Sequence, residues 1–354
     1  MSKKSQSSLP VPRDRGLESL EPQPAKAKAH IVLVHGLQGS GRTTWTHADY
    51  DIFWPDWLVE DIKNAGVFTW SYDSTIKYYE SAASTATIDN YSDNLLADLS
   101  DMREKTDTCD LPIFFVAHSL GGLVCANALV RTLQKTEPDT KNVAEMTRGI
   151  LFLGTPHEGS DLAKWADLFA IFLGIEKGSG AQKNIKFLMT DSTKLRELSE
   201  NLAALLRRRN ESGDPMQKIN VVCFWEERPM KILKAKVVPR ESAIIKGYDD
   251  FCLPGDHRTM ARFDSRQAVG YKRVSGYLRK WIKAAIQAQQ PTQAAGETFN
   301  LKTYGGIAVG KVAGGKTKFS NNTHNYGADV AKMAIEAQMA SNRKDSDDDD
   351  DDDE

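Results

Sequence analysis

Long apolar runs are missing from this chain. The longest, residues 113–130, is interrupted by His118, Ser119 and Asn127, so it falls short of the about 18 apolar residues that cross a membrane. Residues 1–29 also lack the apolar segment of a secretory signal. From these absences we expect a soluble, cytoplasmic protein, which could reach a membrane surface only by recruitment.

Cysteine and histidine are scarce. The four cysteines, at positions 109, 125, 223 and 252, are spaced too widely for a metal-site template, and the seven histidines form no metal-binding motif. Residues 310–317 match the phosphate-loop pattern, but the little chain after them leaves no room for a nucleotide-binding sheet. We therefore expect reduced thiols, no metal and no cofactor.

Basic and acidic residues nearly balance, with 46 against 48, and we expect no nucleic-acid partner. The acids are unevenly placed, because nine of the last ten residues are Asp or Glu. Such a run is expected to be disordered. It could screen the rest of the chain or attract a basic partner, and it could equally serve only as a solvating tail.

Apolar, β-branched segments alternate with helix-compatible ones over most of the chain, which is typical of a mainly parallel sheet covered by helices on both faces. The sequence predicts six strands, the last of them weak: residues 30–35, 66–72, 113–117, 149–153, 219–224 and 236–239. It predicts helices at residues 55–64, 88–105, 121–135, 192–209 and 265–287. The fold class is therefore α/β.

A serine lies between the third strand and the next helix, in the string Ala-His-Ser-Leu-Gly-Gly at residues 117–122. A serine on a tight strand-to-helix turn is the nucleophile elbow of acyl-transfer enzymes. Small residues are needed two positions before and after it, and Ala117 and Gly121 meet that need although the first position is more often glycine. The sequence predicts Ser119 as nucleophile, and the alternative is an ordinary turn with a capping serine.

The partners of such a serine follow it in the order acid, then histidine, on loops after later strands. His257 lies past the predicted strands and before the final helix, where a general base is expected. Glu226 directly follows the fifth strand and is our choice of acid, with Glu227, Asp249 and Asp250 as alternatives. For the oxyanion hole we expect the backbone N–H groups of Leu120 and of Leu37.

Several strings along residues 28–285 resemble the lipase-like α/β hydrolases, closest to their serine-active-site-containing and GPI-inositol-deacylase-like branch. The resemblance also extends to SesB-like fungal lipases and to the N-terminal domains of fungal NACHT receptors. It implies the α/β-hydrolase fold with Ser119, Glu226 and His257 as catalytic triad, and an acyl-lipid or ester substrate. It rests on residues 35–37, 54–57, 70–73, 117–122, 154–160, 224–229, 238–243 and 256–260.

Composition divides the chain into several regions. Residues 1–29 are expected to form a disordered arm and residues 30–287 the hydrolase domain. Within that domain, residues 160–190 are apolar enough to be either a lid over the site or a core helix. Residues 288–296 are expected to be a linker, and residues 328–354 a short helix and the disordered acidic tail.

Residues 297–327 are rich in Gly, Asn and Thr, alternate in polarity and contain no proline, which favours cross-β pairing. They resemble the amyloid signalling motifs that end some SesB-like fungal proteins, and residues 305–310 would form the core of the motif. The resemblance implies templated self-assembly or assembly with a receptor in fungal cell death and incompatibility. The alternative is a plain flexible tail.

Together these observations predict a serine esterase or lipase regulated by assembly of its tail. The rival prediction is a signalling module that keeps the hydrolase fold without catalysis and acts through the tail.

Overall fold

A computed structural model describes residues 15–74, 87–157 and 192–289, together with the backbone of residues 312–313 and 316–317. The chain divides into two compact units, Met1–Gln290 and Pro291–Glu354. In the second unit, Val312–Ala313 pairs antiparallel with Lys316–Thr317. The predicted lid at residues 160–190 lies outside the described residues. So do the predicted linker beyond residue 289, the acidic tail and almost all of the predicted assembly motif.

The first unit is built on a seven-stranded sheet in the order β1-β5-β2-β6-β7-β8-β9. Six neighbouring strands run parallel, and the edge strand β1 pairs antiparallel with β5. A separate antiparallel pair is formed by β3 and β4. The bounds are β1 Gly16–Ser19, β2 Ala29–Val34, β3 Thr46–His47, β4 Ile52–Phe53, β5 Ala65–Ser71, β6 Ile113–His118, β7 Thr147–Leu153, β8 Asn220–Glu226 and β9 Asp249–Leu253.

Helices connect the parallel strands. Their bounds in the first unit are α1 Pro55–Asp61, α2 Ile88–Lys105, α3 Leu120–Arg131, α4 Pro138–Glu145, α5 Ser192–Glu211, α6 Arg240–Ala243 and α7 Val269–Gln289. Short 3₁₀ turns lie at Thr132–Gln134 and Thr259–Ala261.

The sheet separates two apolar cores. Successive side chains of a strand point to opposite faces, and in β2 Val32 belongs to one core while Ile31 and Leu33 belong to the other. Side chains of α2, α3 and α5 fill the first core, and those of α1 and α7 fill the second. Both faces of the strands are therefore buried, which explains why the predicted strands read as continuous apolar runs.

This arrangement confirms the predicted α/β-hydrolase fold: a mainly parallel sheet, helices on both faces, and a serine on the turn that follows the central strand β6. The first five predicted strands are all present within two residues of their expected bounds. The final helix begins at Val269, four residues later than predicted. Among the described residues, no helix is long and apolar enough to cross a membrane.

Two expectations are wrong. Residues 236–239 form no strand: the N–H of Val238 donates to the side chain of Glu226, and Pro239 has no N–H to offer a sheet. The last strand of the seven-stranded sheet is β9 instead, and the two acidic residues at its start make it hard to recognise in the sequence. The expected disordered arm at residues 1–29 also contains β1, which is ordered by its pairing with β5.

Candidate active site

Ser119 has a backbone conformation that few residues adopt, with φ at 55° and ψ at −123°. It lies between the end of β6 and the start of α3, and its N–H donates to the carbonyl of Leu153 on β7 at 2.9 Å. Its side chain is almost completely buried among described residues. Strained backbone of this kind persists only where the surrounding structure holds it, and it occurs mainly at functional sites.

Two glycines allow this turn to approach the neighbouring loop. A Cβ on Gly121 would lie 2.4 Å from the carbonyl oxygen of His35, and a Cβ on Gly36 would lie 2.8 Å from the Cβ of Ser119. The prediction of a small residue at position 121 therefore has a direct steric reason. Gly36 serves the same contact from the other side, because the loop after β2 must pass directly over the serine.

His257 lies on the loop after β9 and reaches the serine. Its Nε2 is 3.0 Å from Ser119 Oγ, and the ring is buried. His118 holds this loop, because its Nε2 donates to the backbone carbonyl of His257 at 2.8 Å. Burial, with a smaller contribution from the neighbouring ring of His257, lowers the pKa of His118 to about 3, so the His118 ring stays neutral near pH 7.

Glu226 is the last residue of β8 and is fully buried. Its Oε2 is 3.4 Å from His257 Nδ1, and its Oε1 accepts a hydrogen bond from the N–H of Val238 at 2.9 Å. A contact of this length is within the range of catalytic pairs before substrate binds. The structure thus places the predicted acid next to the predicted base, and the base next to the predicted nucleophile.

The three alternative acids lie elsewhere. Glu227 has a half-exposed side chain 3.5 Å from Arg228. Asp249 accepts a hydrogen bond from the hydroxyl of Tyr277, and Asp250 from the indole of Trp225. Each of these carboxylates is therefore held by partners other than His257.

The predicted oxyanion groups flank the serine. Leu120 is the first residue of α3, where backbone N–H groups have no partner within the helix. Leu37 lies in the loop after β2, next to Gln38, whose backbone has a positive φ of 55°. Leu37, Ser119 and His257 line one cleft of about 310 Å³.

Aromatic stacking supports this loop. The ring of His35 stacks on Tyr72 with 4.4 Å between ring centroids. The Tyr72 hydroxyl donates to the carbonyl of His35 at 3.0 Å, and the Tyr72 N–H donates to the His35 Nε2 at 3.1 Å. Sequence reasoning missed this support and the tie from His118, because both join residues on separate strands and loops.

No group of three or more His, Cys, Asp and Glu side chains in the described parts of the chain could hold a metal ion. The arrangement of Ser119, His257 and Glu226 has the composition and order needed for nucleophilic attack by a serine with a histidine base.

The family "Putative serine esterase (DUF676)" matches residues 25–207, just over half of the chain. The chain belongs to this family. The match includes Ser119 and the loop with Leu37, and it ends before Glu226 and His257.

Curated proteins that are similar to this chain carry the name Protein SERAC1. The zebrafish (Danio rerio) protein is 27% identical over 276 residues, covering 71% of this chain and 39% of its own length. The human protein is 26% identical over 283 residues, covering 73% of this chain and 40% of its own length. The chain thus spans about two fifths of the relatives that it matches.

Solved structures of lipases also align with the chain. The mature lipase BlEst2 of Bacillus licheniformis aligns with a TM-score of 0.48 and 15% identity, covering 75% of this chain and 97% of its own. A soluble variant of monoglyceride lipase from Saccharomyces cerevisiae aligns with a TM-score of 0.38 and 14% identity, covering 76% of this chain and 90% of its own.

Proposed function

We propose that this family member is a serine hydrolase that cleaves acyl esters through Ser119, His257 and Glu226. The observation that carries the proposal is the contact of 3.0 Å between His257 Nε2 and Ser119 Oγ, on a serine in strained backbone. The buried carboxylate on the far side of the imidazole supports it. An ordinary capping serine needs neither partner.

In the proposed reaction, Ser119 Oγ attacks the ester carbonyl while His257 Nε2 takes the hydroxyl proton. The backbone N–H groups of Leu37 and Leu120 stabilise the negative charge that develops on the carbonyl oxygen. His257 then gives its proton to the departing alcohol, which leaves an acyl-serine. Water, deprotonated by the same imidazole, releases the acid. Glu226 orients the ring and stabilises its charged form without taking the proton.

A fluorophosphonate probe, which labels activated serines, tests this proposal on the purified full chain. We expect labelling of the wild type and none of the Ser119→Ala or His257→Ala variants, with kcat falling by on the order of 10⁶. Ser275→Ala is the matched control, because Ser275 is also a buried serine but lies on α7. A folded wild type that resists labelling would favour the rival function, a hydrolase-fold signalling module without catalysis.

We further propose that residues 297–327 regulate this activity by templated assembly, with themselves or with a receptor, in fungal cell death and incompatibility. The composition of the segment, its alternating polarity and its resemblance to fungal amyloid signalling motifs support this. In this proposal the protein acts in the cytoplasm and assembly recruits it to a membrane surface.

A deletion of residues 290–354 tests the role of the tail. We expect esterase activity on a soluble ester to persist while clustering in cells is lost. A deletion of the acidic residues 345–354 alone is the control and should still cluster. Clustering that survives the longer deletion would contradict the proposal.

A further inference from the structure

An arginine without an acceptor lines the cleft beside the proposed nucleophile. Arg262 follows the 3₁₀ turn Thr259–Ala261, five residues after His257. Its side chain is half-buried and lines the same cleft of about 310 Å³ as Ser119 and His257. Its positive charge is close enough to contribute to the lowered pKa of His118. The guanidinium is therefore near the reacting groups.

The other arginines that are buried to this extent or more in the described residues have acceptors. Arg103 donates to the carbonyls of Leu111 and Cys109 and to the side chain of Asn142. Arg209 likewise donates to several backbone carbonyls. The Nε of Arg262 is buried without a partner, as are those of Arg103 and Arg148, but Arg262 differs from them because its whole guanidinium makes no hydrogen bond or ion pair within the described residues.

No acid among the described residues forms an ion pair with Arg262. Arg258 lines the same cleft, and burial together with the charge of Arg258 lowers the pKa of Arg262. The charge of Asp256 acts in the opposite direction on the pKa of Arg262, but among the described residues Asp256 forms no ion pair with Arg262, and its Oδ1 accepts from the N–H groups of Arg258 and Thr259. Among the described residues, the lining of the cleft contains two arginines and no Asp or Glu.

We propose that Arg262 binds an anionic group of the substrate, a carboxylate or a phosphate, carried on the ester that Ser119 cleaves. This proposal rests on the proposed serine-hydrolase function. Desolvating a charged group costs free energy unless it is paired, and a guanidinium forms strong paired hydrogen bonds with either anion. A neutral ester of the same size would leave Arg262 unpaired in the complex. The substrate class is thus an acyl ester with a nearby negative charge.

The test compares esters that differ only in charge. Three 4-nitrophenyl esters of similar length are used: the neutral pentanoate, the glutarate monoester with a terminal carboxylate, and the 4-phosphonobutanoate. For the wild type we expect a higher kcat/KM on a charged ester than on the neutral one. The better of the two charged esters identifies the anion. In Arg262→Gln the ratio of charged to neutral kcat/KM should fall about tenfold to a hundredfold, the size of a hydrogen bond to a charged group.

Arg266→Gln is the matched control, because Arg266 lies four residues further on, is exposed and pairs with Glu60. It should keep the wild-type ratio. The proposal is overturned if the wild type shows no preference for either charged ester, or if Arg262→Gln lowers kcat/KM equally for all three esters.

Failure of the proposed function has a different signature. An enzyme that is neither labelled by fluorophosphonate nor active on any ester is not a serine hydrolase. In that case, calorimetry measures the binding of the charged esters to the Ser119→Ala protein with and without Arg262→Gln, and shows whether Arg262 binds their anionic group. Equal affinity for the charged and neutral esters in Ser119→Ala would overturn it.

Discussion

Replacing Glu226 with Gln should abolish catalysis while keeping the shape of the site. Oε1 of Glu226 accepts a hydrogen bond from the N–H of Val238. In Glu226→Gln the amide oxygen must take that position, since an amide nitrogen there would face another donor. The amide NH₂ then faces His257 Nδ1, 3.4 Å from the carboxylate oxygen that it replaces. An amide can only donate to Nδ1, so the ring must carry its proton on Nε2, which points at Ser119 Oγ.

A ring protonated on Nε2 cannot accept the serine proton. We therefore expect kcat to fall by on the order of 10⁴, the size found when a triad carboxylate is replaced by its amide, which corresponds to about 5.5 kcal/mol of barrier. Flipping the amide would restore the useful tautomer but would leave the buried Val238 N–H unpaired at a cost of about 1–3 kcal/mol. Neither orientation satisfies both neighbours.

The assay is hydrolysis of 4-nitrophenyl butyrate under saturating conditions, with the rate of fluorophosphonate labelling as a second readout and thermal unfolding as a check on folding. Glu227→Gln is the control, since the neighbouring side chain is half-exposed and next to Arg228. It should keep wild-type kcat. A folded Glu226→Gln variant within about tenfold of wild type would refute the reasoning.

Two further predictions concern stability. Burial lowers the pKa of three histidines from 6.5 to about 3, namely His30, His118 and His157. Between these two pH values the unfolded chain binds more protons than the folded chain. The free energy of unfolding should therefore fall by about 1.4 kcal/mol per pH unit and per histidine as the pH falls. In His157→Gln, the free energy of unfolding measured by urea titration should depend less steeply on pH. Gly121→Ala should lower the free energy of unfolding by about 1–3 kcal/mol, because the added Cβ would lie 2.4 Å from a backbone oxygen. Gly276→Ala on α7 should raise it by about 0.5–1 kcal/mol, because a Cβ there meets nothing within 4 Å. Equal effects of the two glycine changes in chemical denaturation would contradict this steric argument.

Local patterns were sufficient for much of the fold. The buried strands β2, β5, β6, β7 and β8 are continuous apolar runs because both faces of the sheet are covered. Such runs can be recognised directly in the sequence. The turn at Ser119 could be recognised just as directly, since the serine and the small residues that the turn needs fall within six consecutive residues. The edge strand β1 and the strand β9 were not. Their order depends on pairing with distant strands, and neither has an apolar run longer than three residues.

The chain order of Ser119, a carboxylate and His257 restricted the acid to four candidates, because connections in this fold deliver the site residues in sequence. Choosing among them needed distances across the sheet. Glu226 and Glu227 are neighbours along β8 and its loop, yet one side chain is fully buried against the imidazole and the other faces solvent. Consecutive side chains at the end of a strand point in opposite directions, and which of the two meets the imidazole depends on where the loop that carries His257 packs.

The environment of Arg262 likewise could not be predicted from the sequence. In the sequence it is one of 46 basic residues with no special spacing from the serine. Its half-burial in the cleft and its lack of an acceptor among the described residues arise only when the loop after β9 folds back over the elbow. The fold class and the position of the proposed nucleophile follow from local features of the sequence. The charge that a substrate meets is a sum over residues that are distant in sequence, and tertiary packing sets it.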